Sequence, residues 1–239
     1  MKSSKNAGDD PKDPKKKARN LLNRFPFTDL SIAVSRNGSE RENFLRAFVE
    51  TSTPRSYKWV REAAGLIYPV ELPLFPTPVL SWVEIDTIFR NVTPPHNVSI
   101  NVDAGKELFD LVRPKKYKAY PHDGEVLRIG HNQVVFIGLD FYVVDGDRLV
   151  FQYPQPRAQP VFDDYVAAVM MSMIFHAYVY GDYAEADVEL ADLSADEPKK
   201  PRNARIRRIG RNEIIGRDEL TREIEDVYET LRALVEIKP

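Results

Sequence analysis

Residues Gly138–Tyr153 read GLDFYVVDGDRLVFQY, and Phe162–Tyr180 read FDDYVAAVMMSMIFHAYVY. The first stretch is two β-rich runs hinged on Asp145-Gly146, a dipeptide that suits the positive-φ tight turn of a hairpin. The second holds Tyr165 to Gly181, 17 residues without a charged side chain, with Asp163 and Asp164 before them and Asp182 after. A membrane span wants roughly 20 predominantly apolar residues, so this run predicts a helix buried in a protein core. Its acidic first turn suits the helix dipole. A hairpin followed by a buried helix predicts a crossover to a parallel strand, and hence a mixed sheet.

Working outward, three strands are expected at Glu125–Ile129, Gln133–Val144 and Arg148–Tyr153, forming an antiparallel meander. A short helix over Ala104–Val112 precedes them, and strands at Ala186–Leu193 and Ala204–Ile209 follow the crossover. Leu220, Ile224, Val227, Leu231 and Leu234 give the last helix, Asp218–Val235, an apolar face. The predicted fold class is therefore α/β, a mixed sheet with an αβββαβ core in residues 101–239. Residues 21–100 read as mainly helical and residues 1–20 as a disordered basic tail. In the helical part, Leu30–Ser35 looks like a short strand. Ser39 and Glu42 make a capping box ahead of Phe44, Leu45, Phe48 and Val49. Pro54 opens a helix that Gly65 ends, Pro69–Pro78 (PVELPLFPTP) is an extended connection, and Val79–Arg90 is a helix before the break at Thr93-Pro94-Pro95.

Composition excludes several function classes. The 239 residues carry 34 Lys plus Arg against 36 Asp plus Glu, which is no polybasic nucleic-acid packager. With no cysteine there is no disulfide framework, thiol chemistry or cysteine metal site. His96, His122, His131 and His176 lack ligand spacing, and phosphate-loop, dinucleotide, zincin and nucleophile-elbow motifs are all missing, so no nucleotide cofactor is expected. The N-terminal 19 residues hold seven basic side chains, among them Lys15, Lys16, Lys17 and Arg19, and no apolar signal core. A cytoplasmic protein without a membrane segment is the expectation.

The order of elements, together with Gly138-Leu139-Asp140 before a strand and Phe151-Gln152-Tyr153-Pro154 at the end of the next, resembles the PD-(D/E)XK nuclease superfamily, the restriction-endonuclease-like fold, in its RecB-type branch. That resemblance covers residues 103–236. It implies two carboxylates and a lysine around Mg or Mn, the metal polarising the phosphate and the lysine serving the attacking water. Asp140 matches the first carboxylate and Tyr178 the helix tyrosine. Gln152 and Pro154 stand where the second carboxylate and the lysine belong, Ile174 stands where the helix should carry a glutamine, and no lysine occurs between Lys118 and Lys199. The resemblance therefore implies a degenerate site with no cofactor. A rearranged site could use only Lys115, Lys116 or Lys118 from the preceding loop, or Glu107.

Charge is segregated. Asp182–Glu197 holds seven acids and no base, and Lys199–Arg211 seven bases and no acid. Paired as a ribbon, the two would neutralise one another. Unpaired, Arg202, Arg205, Arg207, Arg208 and Arg211 would make a phosphate-contacting ridge. The alternating Phe141, Tyr142, Phe151 and Tyr153 suit a stacking platform or, more simply, a half-buried sheet face. The leading functional expectation is a non-catalytic binding or assembly component whose partner is nucleic acid or another protein. The rivals are a metal-dependent nuclease with a rearranged site around Asp140, and a structural adaptor with no nucleic-acid role.

Overall fold

The computed structural model describes residues 14–50, 57–68, 79–129, 133–158, 162–197 and 199–236. The front half is helical: α1 (Pro14–Asn23), α2 (Phe27–Val34), α3 (Gly38–Glu50), α4 (Lys58–Glu62), α5 (Ala64–Ile67), α6 (Trp82–Val92) and α7 (Pro95–Val112). Then come β1 (Lys118–Pro121), β2 (Val126–Ile129), β3 (Gln133–Phe136), β4 (Phe141–Asp145), β5 (Arg148–Gln155), α8 (Asp164–Tyr178), β6 (Asp187–Asp192), β7 (Arg205–Arg208) and α9 (Arg217–Glu236).

One sheet has the order β1-β4-β5-β6-β7, antiparallel except for the parallel pair β5 and β6. The crossover expected from the apolar run is α8, with Val169, Met170, Met173 and Ile174 fully buried. Gly146 sits at φ 68° in the β4–β5 turn, where any side chain would be strained. The fold class is thus mixed α/β, as the hairpin and the apolar helix require.

Three local expectations fail. Leu30–Ser35 is not a strand, because Phe27–Val34 forms α2 with every residue buried. Tertiary burial overrides the β-branched character of the segment, and Ser31 settles its hydroxyl by donating to the Phe27 carbonyl at 3.0 Å. Gln133–Val144 is two strands rather than one: Gly138 at φ +65° turns the chain between β3 and β4. The meander accordingly splits, β2 and β3 forming a separate two-stranded sheet. The place beside β4 goes instead to β1, the segment KAYP, which was too short to show a period.

Two hydrophobic clusters cover the two faces of the main sheet. Phe27, Leu30 and Leu45 join α8, α9, β2 and β3 on one face. Val60, Ile67, Phe89 and Leu108 join β1 and β4 on the other. The helical front half therefore packs on both sides of the sheet, and α7 runs unbroken from Pro95 into the α/β part. α6 and α7 touch at Gly105, where a Cβ would lie 2.9 Å from the Phe89 ring. α1 takes in the end of the stretch read as a tail. The residues before Pro14, Pro54, the Pro69–Pro78 connection and the Gly130–Asn132 turn lie outside the described residues. Among the described residues no helix is long and apolar enough to cross a membrane.

Candidate functional site

Asp140 precedes β4, exposed, and its carbonyl accepts from the His122 amide at 2.9 Å. Extending the β4–β5 register, in which Val143 faces Val150, puts Asp140 opposite Tyr153 and on the same face. Gln152 points to the other face. There Tyr68 Oη donates to its Oε1 at 2.6 Å, and its Nε2 donates to Glu189 Oε2 at 2.7 Å. The two positions that the nuclease resemblance pairs are therefore on opposite sides of the sheet. Lys118 is no substitute lysine for Asp140, since it pairs with Val144 at the far end of the β1–β4 ladder, about 13 Å along the strand. Among the described residues no group of three or more His, Asp or Glu could hold a metal ion.

Pro154 is accommodated in β5 for a physical reason. β4 pairs with β5 only as far as Val150, so the C-terminal half of β5 has no partner on that side and needs no amide there. On its other side β5 continues in parallel register with β6, Gln152 beside Glu189 and Gln155 beside Asp192.

The basic ribbon is closed on itself. β6 and β7 pair with Glu189 opposite Arg208 and Asp192 opposite Arg205. Asp192, 1% exposed, takes Arg207 Nε at 2.6 Å, Arg205 Nη2 at 3.1 Å and the Ser194 amide at 2.9 Å. Glu189, also 1% exposed, takes Arg208 Nε at 2.6 Å. Arg202 donates to Asp103 at 2.8 Å and to the Pro156 and Leu193 carbonyls. Arg211 reaches the Ala184 carbonyl at 2.9 Å and Glu185 at 3.8 Å. Each of the five arginines singled out by sequence thus has a carboxylate, and the two deepest carboxylates each face a strand of guanidinium groups. The aromatic residues of the hairpin are core, Phe151 and Tyr153 being at most 1% exposed. Tyr178 is also buried and accepts from the Glu125 and Leu139 amides, with burial pushing its hydroxyl above the usual range. His176 is hydrogen-bonded, its Nε2 2.8 Å from the Ile215 carbonyl.

Two features escape sequence reasoning. The first is an aliphatic surface at the start of α6, where Val79 is 70% and Val83 73% exposed. The helix there is held by a capping box between Ser81 and Glu84, and Arg113 donates to the Leu80 carbonyl. On its inner side Trp82 packs against Phe109, ring centroids 5.6 Å apart. Val83 is therefore presented on a fixed element. The second is a cavity of about 690 Å³ beside the unpaired half of β5, reached by Asp140, Tyr153 and Arg157 together with residues of α2 and α4. Its lining joins the segments before residue 63 to those after residue 135, more than 70 residues on, so no spacing announces it.

A family model described as SocB, sliding clamp-binding bacterial toxin, matches residues 28–238. No curated protein and no solved structure matches the chain.

Proposed function

The chain belongs to the SocB family of sliding clamp-binding bacterial toxins, and we propose from that membership that it binds a bacterial sliding clamp and acts as a toxin through this contact. The observation that carries the reading is the family match, which spans both faces of the sheet and every strand. It supports reading the chain as a protein-binding component that works where a bacterial clamp is found. Two features of the geometry support that choice. The arginine ribbon is engaged by its own carboxylates, and Asp140 shares no face with the position that would complete a nuclease site.

The contact surface that fits best is the exposed aliphatic start of α6. Large aliphatic side chains at this exposure are what a partner's apolar groove covers. The sequence leading into them, PVELPLFPTP, supplies Val70, Leu72, Leu74 and Phe75 among four prolines. Short apolar segments of this composition dock by placing alternate side chains in a groove. The segment and the Val79–Val83 surface are continuous in the chain, so one partner can engage both.

Titration calorimetry of the purified chain against a purified bacterial clamp tests the proposal. Saturable binding is expected at about 1 μM, with a tenfold or greater loss for Leu74→Ala combined with Phe75→Ala, and a comparable loss for Val83→Glu. A chain with intact thermal unfolding that shows no heat of binding at about 100 μM clamp overturns the function. Binding that ignores both variants overturns the surface.

A further inference from the structure

The cavity beside β5 has the composition of a ligand site. Its buried floor is Phe25, Phe27 and Tyr153, with Phe27 and Tyr153 edge to face at 5.1 Å. Beneath them Arg157 grips Asp29 through both carboxylate oxygens, at 2.5 and 2.8 Å. This pair fixes α2 against the end of β5 and leaves neither charge for a ligand. The rim is different. Arg24 stacks on Phe136 with its guanidinium carbon 5.2 Å from the ring centroid, and Phe136 is 45% exposed. Arg61 donates to Tyr153 Oη at 3.4 Å. Among the described residues neither arginine has a carboxylate partner, although both are exposed and line the cavity. Asp140, on the same wall, likewise has no cation.

A volume of about 690 Å³ lies within the range of small-molecule sites, roughly 300–1,000 Å³. The position is also suggestive. In open α/β sheets ligands gather outside the carboxyl ends of parallel strands, and Tyr153, Pro156 and Arg157 lie at the carboxyl end of β5, beside its parallel neighbour β6. An exposed aromatic ring such as Phe136 takes a flat ring, guanidinium groups take oxyanions, and a lone carboxylate takes an amino group.

We propose that this cavity binds a nucleotide, its base on the exposed Phe136 ring, its phosphate on Arg24 and Arg61, and an exocyclic amine at Asp140. The site needs no glycine-rich loop, since guanidinium side chains do what backbone amides do in such loops. It goes beyond clamp binding and uses none of the residues assigned to that contact. The same chemistry is presented by a free nucleotide and by the terminal nucleotide of a single strand.

Calorimetry and thermal shift on the full chain separate these sources and test the site, with AMP, GMP, CMP and UMP, a short single-stranded oligonucleotide and inorganic phosphate as probes. At least one nucleotide is expected to bind with a dissociation constant below about 1 mM. Arg61→Gln and Phe136→Ala should each weaken it about tenfold, with thermal unfolding unchanged because both side chains are exposed. Binding of the oligonucleotide with the same dependence on Arg61 and Phe136, without binding of free nucleotides, assigns the site to a strand end and supports it. Three results overturn the proposal: no saturable signal from nucleotide or strand, phosphate binding as tightly as any nucleotide, or both variants binding like the parent.

Discussion

The β6–β7 ribbon and the β5 cavity are both rich in arginine and both border carboxylates, yet they use charge in opposite ways. In the ribbon, Arg205 and Arg207 converge on one buried carboxylate, Asp192, while Arg208 takes the other, Glu189. At the cavity rim, Arg24 and Arg61 rest on an aromatic ring and a phenol, with no carboxylate partner among the described residues. A count of basic residues along the sequence ranks the ribbon first as a contact surface, and the structure reverses the order. What decides is register. A strand of acids paired in antiparallel register with a strand of arginines satisfies itself, whereas arginines delivered to a sheet edge by a loop and a helix have no facing strand to do so.

Asp192→Ala should have the largest effect. It removes the shared acceptor of two guanidinium groups and of the Ser194 amide, and leaves Arg205 and Arg207 only the exposed carboxylates of Asp196 and Asp164. Breaking a buried pair from one side costs about 3–5 kcal/mol, which for a chain of this size lowers the melting temperature by roughly 10 °C. Melting within a degree or two of the parent would mean that the ribbon is solvated after all, and the contrast with the cavity would dissolve.

Arg207→Gln ranks next. Its guanidinium serves Asp192, Asp164 and the Phe162 carbonyl, but Asp192 keeps Arg205, so a cost of about 2 kcal/mol is expected in denaturant unfolding. In the double variant with Asp192→Ala the two losses should sum to less than their total, because they share one interaction. Simple additivity would show that Arg207 is held by its other partners.

Tyr68→Phe probes the ribbon from its inner end, where Tyr68, Gln152 and Glu189 form a chain of hydrogen bonds. Losing the hydroxyl strands the Gln152 oxygen and costs about 1–2 kcal/mol. Burial foremost, with Tyr117 and Glu189 beside it, raises the Tyr68 hydroxyl well above its ordinary 10.0. A raised folded-state value means that this contribution is complete below pH 10.0 and fades as pH rises from there toward the folded-state value. The parent should therefore lose stability relative to Tyr68→Phe in alkaline melts, and parallel pH profiles for the two would contradict the burial of this network.

The legible parts of the fold were those with short-range causes. Asp145-Gly146 announces its hairpin, and the uncharged run announces α8. The acid and base blocks around β6 and β7 foretold a pairing whose register was beyond reach. The unreadable parts were decided by distant partners. α2 carries Leu30, Ile32 and Val34, which suit a strand, and is a helix because α8 and α9 enclose it. The β3–β4 break turns on one glycine inside an otherwise strand-like stretch. For function, Asp140 stood out by resemblance, and the structure assigns it a different company: Arg24, Arg61 and Tyr153 instead of Gln152. Nothing in the spacing of residues 24, 61, 140 and 153 could have gathered them, because three separate elements and the early end of β4 create that space.

The smallest effect is expected from Arg61→Gln, and it separates the two regions most cleanly. The side chain is exposed, has no carboxylate partner among the described residues, and holds one hydrogen bond of 3.4 Å to Tyr153. Glutamine can make that bond too, so stability should change by no more than about 0.5 kcal/mol, the usual range for surface sites. An arginine that can be neutralised at no cost to the fold, in a wall where Arg157 is locked to Asp29, is not held there by folding energetics. A loss for Arg61→Gln as large as that for Arg207→Gln would instead make the cavity rim a second structural ribbon and leave both regions with one role.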